Sequence, residues 1–291
     1  MSGFEINGIQ LEVETRGAET APAFLLIRGL STQLIQWPES FLDRLVEGGF
    51  RPVVFDNRDC GRSTKFTDAG VPAIADLVSG KAVAPYSIAD MARDAVGVLD
   101  ALGIERAHAA GMSLGGMIAQ HLAISHADRF HSVTSIMSTS GAPGLPSGTP
   151  EAMAALMSKP TDPDDREAVI AQSVASQRVI GSPAYPPTPE EARSYFARAY
   201  DRCYCPDGSA RQMAAVVTDH ERAERLAEIR MPFLVLHGSD DPLIPPACGA
   251  DTAHRVPGAS WVTLDGMGHD VTAANAPLVA AELLAFASAH A

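Results

Sequence analysis

Seven residues, Ala110-Gly111-Met112-Ser113-Leu114-Gly115-Gly116, set three glycines around one serine hydroxyl, between an apolar run ending at Ala110 and a helix-like stretch from Met117 to Leu122. A Gly-x-Ser-x-Gly spacing suits a tight strand-to-helix turn that holds a nucleophile out of the fold. Gly111 and Gly115 lie two residues either side of Ser113, where any Cβ would collide as the helix doubles back against the strand. The start of that helix also aims unpaired backbone N–H groups at nearby negative charge. The same letters describe a glycine-rich turn with an incidental serine, so the partners of Ser113 decide between the readings.

A serine hydroxyl is a weak nucleophile until a base takes its proton, and the base needs an acid to orient it. Of nine histidines, His269 alone lies in a late glycine-rich loop just after a strand, Leu264-Asp265-Gly266-Met267-Gly268-His269-Asp270. His108 and His131 border strand-like runs, His121 and His126 lie on or beside the helix after Ser113, His254 falls in a helical stretch, and His290 is in the tail. None of these has the loop placement a base requires, and packing or solvated surface is the better reading. His237 could end a strand near the site, and His220 lies in a helical insertion, so either could line a pocket. For the acid, Gly238-Ser239-Asp240-Asp241-Pro242 offers two adjacent aspartates. Asp241 precedes a proline that restricts it to extended backbone, and Asp240 has Asx-turn chemistry; turn chemistry and motif register favour Asp241.

These loops need a scaffold. Apolar, β-branched runs recur at Gln10 to Glu14, Phe24 to Ile27, Pro52 to Phe55, Ala107 to Gly111, Val133 to Met137, Pro232 to His237 and Trp261 to Leu264, with helical stretches between them. Strands alternating with helices predict an α/β fold around a mostly parallel sheet of about eight strands. The alternating run Ile9 to Glu14 suits a half-exposed antiparallel strand at the sheet edge, and the continuously apolar later runs suit central positions. Between Ser138 and Arg230 the strand rhythm gives way to a segment punctuated by Pro143, Pro146, Pro150, Pro160 and Pro163, with helical stretches at Glu190 to Tyr204 and Ala210 to Val217. The expected organisation is a core from residues 1–138 and 231–291 interrupted by a helical cap insertion at 139–230.

With 291 residues, 46% of them hydrophobic, the chain can bury a large core. Its 22 Lys+Arg against 35 Asp+Glu give a net charge of -13, which argues against a nucleic-acid partner. The first residues have no basic and apolar leader pattern, and no window approaches the roughly 18 apolar residues of a membrane helix, so a cytoplasmic location is the expectation. Cys60, Cys203, Cys205 and Cys248 form no Cys-x-x-Cys pair and read as reduced thiols.

Taken together, these motifs resemble those of the α/β-hydrolase superfamily over nearly the whole chain. Asp56-Asn57-Arg58-Asp59-Cys60-Gly61-Arg62-Ser63 is similar to the family's Asp-x-Arg-Gly-x-Gly-x-Ser turn, Gly238 to Pro242 with Pro245 to its acid loop, and Gly266-Met267-Gly268-His269 to its histidine loop. The order Ser113, Asp241, His269 is that family's order. Within it, Trp37-Pro38, Arg58 to Ser63 and Met267-Gly268-His269 resemble the aclacinomycin methylesterase-like small esterases. The chain departs from the wider family at Arg28-Gly29-Leu30, where a His-Gly pair is usual.

The resemblance implies an esterase in which Ser113, His269 and Asp241 act as nucleophile, base and orienting acid, with Leu30 and Leu114 N–H groups as oxyanion donors and no metal or organic cofactor. The insertion would select a small-molecule ester, neutral and fairly apolar given the acidic balance. Its Tyr195, Phe196, Tyr200, Tyr204, Met153, Met157 and Met213 read first as residues knitting helices to the core. The same triad serves lactone, C–C, aminoacyl-amide and perhydrolytic chemistry, because fold and constellation do not fix the acyl group. A reading of another class, a small-molecule receptor on a hydrolase fold, would show ligand-induced stabilisation without turnover.

Overall fold

Asn7-Gly8 sets the entry to the sheet. Both residues have positive φ, 51° and 78°, the requirement of a type I′ hairpin turn. They join β1 (Ser2–Ile6) to β2 (Ile9–Thr15) in an antiparallel pair, Ile6 opposite Ile9. The computed structural model describes residues 2–290. The further strands are β3 (Ala23–Ile27), β4 (Arg51–Phe55), β5 (Ala107–Met112), β6 (Phe130–Ile136), β7 (Phe233–Gly238) and β8 (Ser260–Leu264). They form one eight-stranded sheet in the order β1-β2-β4-β3-β5-β6-β7-β8. Pairing is antiparallel from β1 to β4 and parallel beyond.

Two sequence expectations need correction. β2 is antiparallel, but β1 covers its outer side, so the edge passes to β1. At the other end, β8 is an edge strand and not a central one: Ser260, Trp261 and Thr263 are exposed. Its apolar character serves one face only.

The helices are α1 (Glu39–Glu47), α2 (Ile74–Val78), α3 (Ile88–Ala101), α4 (Leu114–Ser125), α5 (Pro150–Met157), α6 (Arg166–Ile180), α7 (Pro189–Arg202), α8 (Pro206–Val217), α9 (Arg222–Arg225), α10 (Pro246–Arg255) and α11 (Ala276–Ser288). Alternation along each strand feeds two layers. Leu25, Ile27, Val53 and Ala109 pack with Ile88, Met91, Val98, Ile118 and Leu122 of α3 and α4. Phe24, Leu26, Val54 and Ala110 pack on the opposite face with Trp37, Phe41, Val279 and Leu283 around α1 and α11.

The segment from β6 to β7 carries α5 to α9. Threonines cap two of its helices: Thr149 accepts from Ala152 N, with Pro150 as first helical residue, and Thr188 forms a capping box with Glu191 ahead of α7. Arginines fasten the segment to the loops after β3 and β4. Arg211 of α8 makes a two-pronged pair with Asp59 at 2.7 and 2.9 Å, and Tyr86 donates to the same carboxylate at 2.7 Å. Arg202 of α7 meets the fully buried Asp56 at 2.7 Å. Gln33 donates its side-chain amide N–H groups to the Ala199 and Cys203 carbonyls.

Candidate active site

Ser113 sits between β5, flanked by β3 and β6, and α4. Its backbone is strained, with φ 55° and ψ -119°. Crowding explains the two glycines: a Cβ on Gly111 would collide with the Gly115 carbonyl, and one on Gly115 with the Ile27 carbonyl. The turn is pinned by Ser113 N–H to Ile136 O at 2.9 Å and by the Ser138 hydroxyl to Ser113 O at 2.8 Å. The hydroxyl that results is half-buried, at the carboxyl end of the parallel strands, where open α/β sheets hold ligands.

The loop after β8 delivers His269, whose Nε2 lies 3.0 Å from Ser113 Oγ. Its Nδ1 is 2.7 Å from Asp241 Oδ2. A carboxylate on Nδ1 assigns the proton to that nitrogen and leaves the Nε2 lone pair facing the serine. The other Asp241 oxygen accepts from Leu243 N and Ile244 N, both at 2.9 Å. Burial pushes this carboxyl up, but the charge of His269 and hydrogen bonding from His237 and His269 prevail and hold it well below the usual carboxylate range. Asp240 stays outside, exposed and accepting from Ser239 Oγ and Gly266 N. Of the two competing aspartates, Asp241 is the one that meets the histidine.

Next to the hydroxyl runs the loop after β3. A Cβ on Gly29 would lie 3.2 Å from Ser113 Cβ, so this backbone approaches closely. Leu30 N–H follows it, and Leu114 N–H opens α4. Neither donates to an acceptor among the described residues. Arg28, standing where the family usually has histidine, is buried, with its guanidinium 4.8 Å from the Trp37 ring centre and 2.9 Å from Tyr195 Oη of α7. Packing on Trp37 and a reach to α7 are thus what arginine supplies at this position.

A family model described as the alpha/beta hydrolase fold matches residues 22–273. The chain belongs to the α/β-hydrolase fold family. Rhodomycin D methylesterase DauP of Streptomyces sp. strain C5 is 29% identical over 88% of this chain and 88% of its own. Rhodomycin D methylesterase DnrP of Streptomyces peucetius is 28% identical over 94% and 93%. Among solved structures, the enol-lactonase of Burkholderia xenovorans LB400 superposes with a TM-score of 0.76 at 23% identity, covering 99% of this chain and 100% of that one. This last likeness is one of fold.

Other histidines of this α/β hydrolase lie away from the Ser113 hydroxyl's partners. His108 Nδ1 meets Ser132 Oγ at 2.8 Å inside the sheet, His121 Nε2 meets Asp219 at 3.0 Å, and His220 is exposed. His237 is different: fully buried, it donates Nε2–H to Ile244 O at 2.8 Å and lies 3.5 Å from Asp241 Oδ2, beneath the acid. In the segment between β6 and β7, Tyr195 stands edge-on to Phe196 and Tyr200 stacks on Tyr204, contacts made within α7 and the turn that follows it. Met153 and Met157 are exposed. Cys60, Cys203, Cys205 and Cys248 are free thiols. Among the described residues no helix is long and apolar enough to cross a membrane.

Proposed function

We propose that this α/β hydrolase cleaves the carboxylic ester of a small, fairly apolar molecule through an acyl-enzyme. The observation that carries the reading is the unbroken chain of hydrogen bonds from Asp241 through His269 to Ser113. Ser113 Oγ attacks the carbonyl carbon while His269 Nε2 takes its proton. The tetrahedral oxyanion forms between the Leu30 and Leu114 N–H groups. Collapse breaks the ester C–O bond, and the departing alkoxide takes the proton from His269. Water, activated by the same imidazole, then releases the carboxylic acid and restores Ser113. Asp241 keeps the productive tautomer throughout.

Residues 139–230 act in this reading as a helical cap, and residues 1–138 with 231–291 as the catalytic core. The methylesterase relatives favour a methyl ester as the first substrate class to try. The test is a panel of p-nitrophenyl esters, methyl esters, lactones and aminoacyl amides, run with the wild type and Ser113→Ala. Ester turnover that falls by up to about a millionfold in the variant supports the reading. A serine-directed organophosphonate should add once, at Ser113. Turnover retained by folded Ser113→Ala, or addition at another serine, rejects the mechanism.

A further inference from the structure

His269 is held by more than its acid. Its own N–H donates to Ile180 O at 2.8 Å, and the preceding Gly268 N–H donates to Ser182 Oγ at 2.9 Å. The acceptors are the last residue of α6 and Ser182, two residues beyond it, 86 or more residues away in sequence. Asp270, directly after the histidine, completes the contact. One carboxylate oxygen accepts from Ser182 N at 3.1 Å and from the Ser182 hydroxyl; the other accepts from Gln177 Nε2. Asn275, ahead of α11, closes the network by donating to Ser182 Oγ and to Asp270 O, both at 3.1 Å. Two glycines let the backbones touch: a Cβ on Gly268 would collide with Gly181 O, and one on Gly181 would lie 2.7 Å from Asp270 Oδ2.

Asp270 meets the end of α6 with both of its carboxylate oxygens. The carboxylate is buried, and its donors, Ser182 and Gln177, are uncharged. Burial pushes its carboxyl above the ordinary value, against the hydrogen bonds of Ser182 and Gln177 and the nearby His269. What the carboxylate supplies is acceptor capacity on both oxygens, one aimed at Gln177 of α6 and the other at Ser182 just past its end.

We propose that Asp270 is a positioning residue that hooks the end of α6 to the His269 loop through Ser182 and Gln177, so that docking of α6 and alignment of His269 Nε2 on Ser113 Oγ form one mechanical state. This rests on the esterase reading, and it adds a side-chain tie to the two backbone N–H bonds that also join the His269 loop to the end of α6. Asp270→Ala removes both side-chain acceptors and leaves the backbone carbonyl that Asn275 uses. Asp270→Asn keeps the oxygen facing Ser182, and Gln177 can turn its amide to offer an oxygen to the new NH₂ group. Ser182→Ala removes the shared hydroxyl and retains the carboxylate.

The test reads kcat and KM on p-nitrophenyl acetate together with hydrogen–deuterium exchange of residues 172–182. A misplacement of about 1 Å at a reacting group costs on the order of a hundredfold. Asp270→Ala should lose about that much kcat with KM within threefold, and Ser182→Ala about tenfold. Asp270→Asn should recover to within tenfold of wild type. Exchange over 172–182 should quicken at least tenfold in Asp270→Ala and stay near wild type in Asp270→Asn. The proposal is overturned if Asp270→Ala keeps most of its kcat, if the alanine and asparagine variants are equally slow, or if exchange is unchanged. Should Asp270→Ala fail to fold, Ser182→Ala decides on the same two readouts. A wild type without ester turnover defeats the esterase reading, and the exchange measurement still decides the hook.

Discussion

Asp241→Asn separates the function of the acid from its place in the fold. Asp241 Oδ1 accepts two backbone N–H groups, from Leu243 and Ile244, at 2.9 Å each. In the amide, the oxygen must stay on that side. Turning it round would set NH₂ against two buried donors, a loss of about 1–3 kcal/mol for each. The NH₂ group is therefore forced toward His269 Nδ1, at the position now 2.7 Å away. A donor there demands the tautomer with its proton on Nε2, and that nitrogen can no longer accept from Ser113. The expected loss in kcat is about ten-thousandfold, as for the equivalent change in other triads, or about 5 kcal/mol of barrier. The assay is initial-rate hydrolysis of p-nitrophenyl acetate, with thermal melting as the check of folding. Asp240→Asn, altering an exposed group, is the control and should stay within threefold of wild type. If Asp241→Asn retains more than a tenth of wild-type kcat, or Asp240→Asn is the more damaging, the tautomer argument is wrong.

Leu30 is assigned through its backbone: Leu30→Ala keeps the N–H and should change substrate fit, whereas Leu30→Pro removes it and should cost a further 10² to 10³, approximately, in kcat. Equal rates in two folded variants would move the second oxyanion donor elsewhere. Gly115→Ala drives a methyl group into the Ile27 carbonyl and to 2.8 Å from Arg28 O; it should lower both melting temperature and kcat, and a variant matching wild type in both would contradict the close approach. His108 gives a pH signature. Burial first, then the charges of His131, His290 and Arg106, depress it from 6.5 to about 4, so the neutral imidazole supports the fold above about pH 6.5 and that support is lost as pH falls toward 4. Urea unfolding of His108→Gln between pH 7 and 4 should show a flatter decline than wild type, and an unchanged slope would remove His108 as its source.

The candidate site was legible because each of its parts is a short local motif. Glycines at Gly111 and Gly115 announce the turn, Gly266 and Gly268 mark the histidine loop, and Pro242 fixes the register of Asp241. Strand order was less accessible. The Asn7-Gly8 hairpin had a turn signal but only a short first strand, and without it β2 looked like the edge. β8 misled for the opposite reason: an apolar run reports burial of some surface, not burial on both sides. His237 and Asp270 lie next to residues already singled out, yet their roles depend on Ile244 O and on Ser182 and Gln177, contacts made by folding and not by spacing. No local pattern marks Ser182.

The arginine ties of the segment between β6 and β7 bear on how such enzymes can be recombined. Asp56 and Asp59 belong to the loop after β4, yet Arg202 and Arg211, which balance them, belong to α7 and α8. Both aspartate side chains are shielded completely from solvent. A chimera that accepts a foreign 139–230 segment without these arginines strands two carboxylates, at about 3–5 kcal/mol for each broken pair. That sum rivals the entire folding stability of an ordinary protein, about 5–15 kcal/mol. The segment is therefore not an interchangeable accessory: a graft that is meant to bring a new substrate preference must bring its own countercharges, or arrive with Asp56 and Asp59 already neutralised in the host.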